Sequence, residues 1–301
     1  MGHQRDKNIS ESNRSLILAT VLNLLITVVE IIGGILSNSL ALLSDALHNL
    51  SDTLAILLAY IAQKISSRDS NENKTFGYKR IEILAAFFNA LVLIGISAFL
   101  IYEAIRRFSD PEPIKGLLMF IVASAGLLFN LLSVLILRKH SDSSLNIRSA
   151  YLHLLSDTLS SFAVIIAGIL IYFTDIYWID PLITILISIY IIKETWGVFK
   201  QSVDILMQAT PDGVDIKMII SDLENINMIK NIHHVHTWSL SDHDFHFECH
   251  ADLAEDLNVS KTDHLRQKME EILHEKHGIN HCTIQFEFNI CDDKNAISNS
   301  K

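Results

Sequence analysis

The chain lacks most of what would mark a disulfide-built, nucleic-acid-binding or hydrolytic protein. Cysteine is scarce: Cys249, Cys282 and Cys291 all lie near the C-terminal end, and an odd count gives no disulfide framework. Basic charge is in deficit, with a formal net charge of −10 over 301 residues, which argues against a nucleic-acid partner, since that usually demands a basic patch. His-Glu-x-x-His is missing, and with it the ligand pair and general base of a common zinc hydrolase. The first apolar stretch contains Asn23, Thr27 and Glu30 and has no evident small-residue cleavage site, so it does not read as a secretory signal.

What the chain does have is apolar length. Half of its residues are hydrophobic, and they come in blocks of about 20, the number needed to cross a hydrocarbon core. Six such blocks are predicted, at 16–36, 40–63, 82–103, 114–137, 147–173 and 181–199. Asp180-Pro181 reads as a cap followed by proline at the first helical position of the sixth. Arg5, Lys7, Arg14, Lys64, Arg68, Lys74, Lys79, Arg80, Arg138, Lys139 and Arg148 fall on one side of the membrane, against Arg106, Arg107 and Lys115 on the other. By the positive-inside rule both termini are cytoplasmic, as an even number of spans requires. The compact loops point to a bacterial inner (plasma) membrane.

Thr210-Pro211-Asp212-Gly213 marks a boundary, after which the pattern changes. A helix is expected at 214–225, strands at 232–240 and 244–253, a helix at 260–276 and a strand at 281–289. Alternation puts Phe245, Phe247 and Cys249 on one face of the second strand, opposite His246, Glu248 and His250. In the last strand Cys282, Ile284, Phe286 and Phe288 oppose His281, Thr283, Gln285 and Glu287. The expected fold class is an α-helical membrane protein with six transmembrane helices plus a small cytosolic α+β domain of αββαβ order. The expected division is a polar cytosolic segment at 1–15, a membrane domain at 16–208, the α+β domain at 209–291 and a disordered tail at 292–301.

Inside the membrane domain one octapeptide occurs twice. Leu47-His48-Asn49-Leu50-Ser51-Asp52-Thr53-Leu54 returns as Leu152-His153-Leu154-Leu155-Ser156-Asp157-Thr158-Leu159, with only Asn49 and Leu154 differing. Ionisable side chains within a span are expensive and default to a functional reading. His and Asp four residues apart share one helix face. Two such helices facing each other offer two imidazoles and two carboxylates, a tetrahedral set for a zinc-like ion. Four protein ligands close the site, which suits binding rather than catalysis. A divalent ion on Asp52 and Asp157 leaves the site formally neutral, and without it the carboxylates favour protons, so metal and protons compete for the same groups. The expected function is a transporter, not an enzyme. Imidazole with carboxylate fits Zn²⁺ or Co²⁺ better than Mg²⁺ or Ca²⁺, with Cd²⁺, Fe²⁺ or Mn²⁺ as alternative main substrates. A membrane-anchored metal sensor is the alternative from another class.

These residues resemble the cation diffusion facilitator family of zinc transporters over almost the whole chain. Further marks are Phe76-Gly77-Tyr78-Lys79-Arg80 before the third span and His233-His234-Val235-His236-Thr237-Trp238 in the first strand. The resemblance implies a homodimer in the lipid membrane that exports Zn²⁺ from the cytosol in exchange for protons by alternating access. It also implies a metallochaperone-like C-terminal domain that helps hold the dimer. His48, Asp52, His153 and Asp157 are the transport site it implies, of the zinc-preferring type. His233, His250, His264 and Glu287 match positions that bind zinc in relatives, where the ion would be a regulatory ligand, and His281, which shares the polar face of Glu287, is a substitute ligand. Alternation places His234 and His236 opposite His233. Residues 64–80 contain Asp69 but no histidine, which argues against the loop site some members carry. The resemblance also implies a charged interlock of Lys79 and Arg80 with the end of the sixth span, where Asp204 is the nearest candidate. Asn23, Thr27 and Glu30 form a polar stripe that lines an access path or packs between helices, and Asn89 and Asn130 are open to the same two readings. Ser51 and Ser156 either orient the adjacent Asp or bond back to their own turn.

Overall fold

Apolar blocks with no proline beyond their first turn run on as long helices, through the glycines inside them. The computed structural model describes residues 2–138, 145–241, 244–289 and 295–296, with side chains from residue 20 onward apart from 136–154 and Ser156. The helices are α1 (Gly2–Ser37), α2 (Leu40–Ser66), α3 (Ile81–Ser109), α4 (Gly116–Arg138), α5 (Leu145–Thr174) and α6 (Ile179–Leu206). They are followed by α7 (Ile216–Glu224), β1 (Ile229–Ser241), β2 (Asp244–Leu253), α8 (Val259–His277) and β3 (His281–Glu287). The chain divides into two units, residues 1–61 with 85–199 and residues 62–84 with 200–301.

In the first unit α1, α3, α4, α5 and α6 each contain a stretch long and apolar enough to cross a membrane. Of the six expected spans α2 alone falls outside that set, although it has 27 residues, because Asp45, His48, Asn49 and Asp52 in its middle lower its mean hydropathy. Large apolar side chains such as Leu25, Phe99, Leu159 and Phe173 stand exposed on the helices, as lipid-facing positions do. Close helix approach depends on small residues. A Cβ on Gly116 would lie 2.7 Å from the Tyr172 nitrogen, and one on Gly168 3.0 Å from the Phe120 nitrogen, so α4 and α5 meet backbone to backbone. Around that seam pack Leu42, Met119, Val164, Ile171 and Ile191.

The α1–α2 turn needs only Asn38, in the left-handed region at φ 61, and Ser39. Here one expectation is corrected. α6 begins at Ile179, ahead of Asp180, and the Asp180 carboxylate does not cap its own helix. It crosses to the start of α2, accepting from Ser39 Oγ at 2.5 Å, Leu40 N at 2.8 Å and Ala41 N at 3.2 Å. Those are donors that a helix N-terminus leaves unsatisfied. α1 likewise starts earlier than the span predicted from residue 16, since nothing between Gly2 and that point breaks a helix.

The second unit has a three-stranded sheet of order β1-β2-β3, the first pair antiparallel and the second parallel. The parallel pair requires a crossover, which α8 supplies. Asp215 caps α7, accepting from Lys217 N at 2.9 Å, and Asn258 caps α8, which ends at Gly278 with φ 67. One sheet face carries the core, where Ile219, Leu223, Phe247, Met269 and Leu273 are fully buried. Cys249 and Cys282 belong to that face, and burial pushes their thiols up to about 12 and about 11, which keeps them protonated. Two residues of the tail expected to be disordered, Asn295 and Ala296, are described, and Val235 N donates to the Ala296 carbonyl at 2.9 Å.

Candidate metal centres

His48 and Asp52 lie one turn apart on α2, and Asp157 on α5 faces them. His48 Nε2 is 3.5 Å from Asp52 Oδ2 and 3.6 Å from Asp157 Oδ1, and one ligand atom from each of the three lies within 4.8 Å of the others. His48 and Asp157 are buried and Asp52 is partly so. His153 sits on α5 four positions before Asp157, and its side chain lies outside the described residues. One imidazole and two carboxylates converging from two helices make a donor set that suits a divalent ion of the zinc type.

Support for these ligands comes from residues the sequence reading passed over. Asp45, one turn before Asn49 on α2, is buried and accepts from Ser160 Oγ at 2.5 Å and Ser161 Oγ at 2.9 Å, both on α5. Ser160 Oγ also reaches the Asp157 carbonyl at 2.9 Å, so one hydroxyl links α2 to the backbone of a candidate ligand. The signal was present: Asp45 is a third acid in the middle of an apolar helix, and like the others it demands a reason. Asn49 Nδ2 donates to Glu30 Oε2 at 3.2 Å, while Thr27 bonds back to the Asn23 carbonyl at 2.7 Å. Asn89 Nδ2 donates to Ser51 Oγ at 3.3 Å.

The second cluster spans all three strands. His233 and His250 are register partners on β1 and β2, and Glu287 ends β3. Glu287 reaches both rings, with Oε1 2.8 Å from His250 Nδ1 and Oε2 3.4 Å from His233 Nε2. His233 is 0% exposed, yet neither ring nitrogen makes a hydrogen bond among the described residues. Buried polar atoms in that condition call for a partner, and a water or a cation is one that would serve. Two imidazoles and a carboxylate are a donor set that fits a zinc-like cation, and Cys249 and Cys282, which face the core, are not part of it. His264 stands exposed on α8 and is not brought into the cluster.

Three expectations for this unit are corrected. Alternation fails at His234, whose φ of 48 accompanies a shift of register between His233 and His236. That bulge stacks the His234 ring on His250 at 4.8 Å and 15°, and sets it 5.6 Å from the His233 ring. His281 keeps away from Glu287 because it starts β3 where Glu287 ends it, and its ring lies 5.0 Å from that of His246. Lys79 bonds Asp244 rather than Asp204. Phe76 also reaches that strand, edge-on to the His246 ring at 5.5 Å, and Trp238 stacks on the same ring at 5.4 Å.

Helices long and apolar enough to cross a membrane, with acids and a histidine clustered between two of them, are the features expected of a membrane carrier of cations. The family model for the cation efflux transmembrane domain matches residues 16–207, and that for the cation efflux protein, cytoplasmic domain, matches 211–288. The chain belongs to the cation efflux family, an integral membrane transporter of metal cations and not an enzyme. It is 41% identical over 299 residues to the cadmium, cobalt and zinc/H(+)-K(+) antiporter of Bacillus subtilis (strain 168), covering 99% of this chain and 95% of that one. It is 39% identical to the zinc transporter ZitB of Pectobacterium atrosepticum, over 97% of this chain and 91% of the relative. To the cation efflux system protein CzcD of Alcaligenes sp. it is 37% identical, over 98% and 92%.

Proposed function

We propose that this protein exports Zn²⁺ from the cytosol in exchange for protons by alternating access, at a tetrahedral site of His48, Asp52, His153 and Asp157. The observation that carries the reading is the convergence of His48, Asp52 and Asp157 from α2 and α5 in the interior of the helical unit. Two ionised carboxylates there repel one another until a divalent ion or protons balance them, so ion release and proton uptake are one event. The layout follows the expected division, with a membrane domain at 16–208 and a cytosolic domain at 209–291, in a homodimer of a bacterial inner membrane with both termini cytoplasmic. His233, His250 and Glu287 hold a regulatory zinc in this reading, with His264 free to join only after movement of α8.

A second reading differs in cargo alone. The Bacillus subtilis relative is named for cadmium and cobalt as well as zinc, and for potassium as well as protons. The same donors accept Co²⁺ and Cd²⁺, and a monovalent metal ion can share the counter-ion role. The test is zinc flux into proteoliposomes under an imposed pH gradient, comparing the parent with Asp157→Ala. Gradient-driven flux that disappears in the variant supports the site and the exchange together. Flux that survives the substitution would make the repeated octapeptide structural, and flux of Co²⁺ or Cd²⁺ without Zn²⁺ would move the assignment to the second reading.

A further inference from the structure

Linked to the candidate ligands through α2 is a second polar cluster that the exchange described so far does not use. It is built by four helices. Glu30 on α1 is 0% exposed, and Asn49 on α2 donates to its Oε2. Its Oε1 packs against Gly126 on α4, where a Cβ would sit only 2.1 Å away, so the absent side chain makes room for the carboxylate. Asn130, four residues on along the same face of α4, brings its Nδ2 within 3.5 Å of Ser161 Oγ on α5. Ser161 in turn donates to Asp45 Oδ2 on α2, four residues before Asn49.

Three acceptor oxygens in this cluster have no donor among the described residues: Glu30 Oε1, Asn49 Oδ1 and Asn130 Oδ1, all buried. A single proton on Glu30 would give a donor to one of them. A coordinated cation satisfies several acceptors at once, and carboxylate with amide oxygen is the donor chemistry of hard cations. Secondary transporters bind monovalent coupling ions near the bilayer midplane through oxygen ligands, backbone carbonyls among them. We propose that Glu30, Asp45, Asn49 and Asn130 form a second, all-oxygen cation position that takes an alkali-metal counter-ion, K⁺ in the first instance.

This proposal rests on the exchanger reading and gives it a coupling device. Asp45 lies within electrostatic reach of His48 and Asp157, and Glu30 of Asp157. Cations in the two positions therefore repel through a low-dielectric interior, where charges interact far more strongly than in water. Filling one position favours emptying the other. The nitrogen donor belongs to the divalent site alone, so the two positions also differ in which ion they prefer.

The experiment uses the whole protein in proteoliposomes at equal pH on both sides, with K⁺ replaced by choline in the control and ⁸⁶Rb⁺ as tracer. The expected result is zinc flux that rises with an opposing K⁺ gradient, accompanied by Rb⁺ movement in the opposite direction. Glu30→Gln raises the K⁺ half-saturation by about tenfold or more, the scale of losing one charged ligand. Glu30→Asp, which keeps the charge on a shorter stem, has a smaller effect. Gly126→Ala adds a methyl where the carboxylate sits, and reproduces the Glu30→Gln defect without touching any charge. Zinc flux that responds to a pH gradient but is indifferent to K⁺ in the parent would overturn the second position alone, as would parental K⁺ half-saturation in both Glu30→Gln and Gly126→Ala. No zinc flux under any gradient would remove the exchanger reading and this position with it.

Discussion

Replacing Asp180 by alanine should destabilise the helical unit by about 3 kcal/mol, because that carboxylate caps a helix other than its own. It is fully buried and accepts from Ser39 Oγ, Leu40 N and Ala41 N. The Ser39 hydroxyl can rotate, and it already accepts from Leu42 N at 3.1 Å. The two backbone N–H groups have no such freedom. Each buried donor left unsatisfied costs about 1–3 kcal/mol, and a lost N-cap about 1 kcal/mol by itself, part of which is the same loss counted again. Water entering the vacated space recovers some of it, which brings the expectation to about 3 kcal/mol. Asp180→Asn keeps the shape and one acceptor but turns an amide N–H₂ toward donors, and should fall between parent and alanine variant. The assay is thermal or denaturant unfolding in detergent, read by loss of helical signal, with zinc flux measured in parallel because α2 carries His48 and Asp52. A change below about 0.5 kcal/mol for the alanine variant, within the range of ordinary surface substitutions, would refute the reasoning.

His234→Ala removes the ring stacked on His250 and should weaken zinc binding by the cytosolic cluster about tenfold, as loss of a ligand's orienting partner does; chelator competition on the whole protein measures it, and unchanged affinity would assign the stacking no role. Gly168→Leu forces a side chain against Phe120 at the α4–α5 seam and should lower stability by at least about 1–3 kcal/mol, read from the unfolding midpoint. Burial holds His246 below the ordinary histidine range; the charges of His281, Lys79 and Arg80 act the same way and Asp244 opposes them. The unfolded chain then takes the proton first, so stability is fully present above about pH 6.5 and is lost as pH falls below it. His246→Leu should flatten that part of the pH–stability profile relative to the parent, and identical slopes would show that His246 is not the group responsible.

Much of the architecture was legible because membrane and sheet impose simple periods. Blocks of apolar residues read as spans, and the helix that falls short in hydropathy, α2, carries two of the candidate ligands, His48 and Asp52. The αββαβ order followed from turn residues and alternation, and β2 spans 244–253 as read. Within the candidate sites, His48 and Asp52 share a face because 3.6 residues make a turn, and local spacing alone says so. What was not legible involves partners far apart in sequence. Asp180 reads locally as the cap of α6, yet its donors are more than a hundred residues earlier. Asp45 reads as one more acid until Ser160 and Ser161 are brought to it. Lys79 had several acidic partners to choose from, and only the fold puts Asp244 within reach.

The strand bearing His233 shows the division most clearly. Alternation is a property of a regular strand, and by that rule His234 belongs on the face opposite His233. A single backbone angle in the left-handed region breaks the rule and stacks His234 on His250. The sequence by itself determined which residue types were available, in which spans and on which local faces, since helix and strand periods and the thickness of a bilayer depend only on nearby residues. The tertiary structure alone decided which acid meets which donor, where a strand bulges and which oxygens are left without a partner. Those outcomes depend on how separate elements pack, and packing is settled by the whole chain at once.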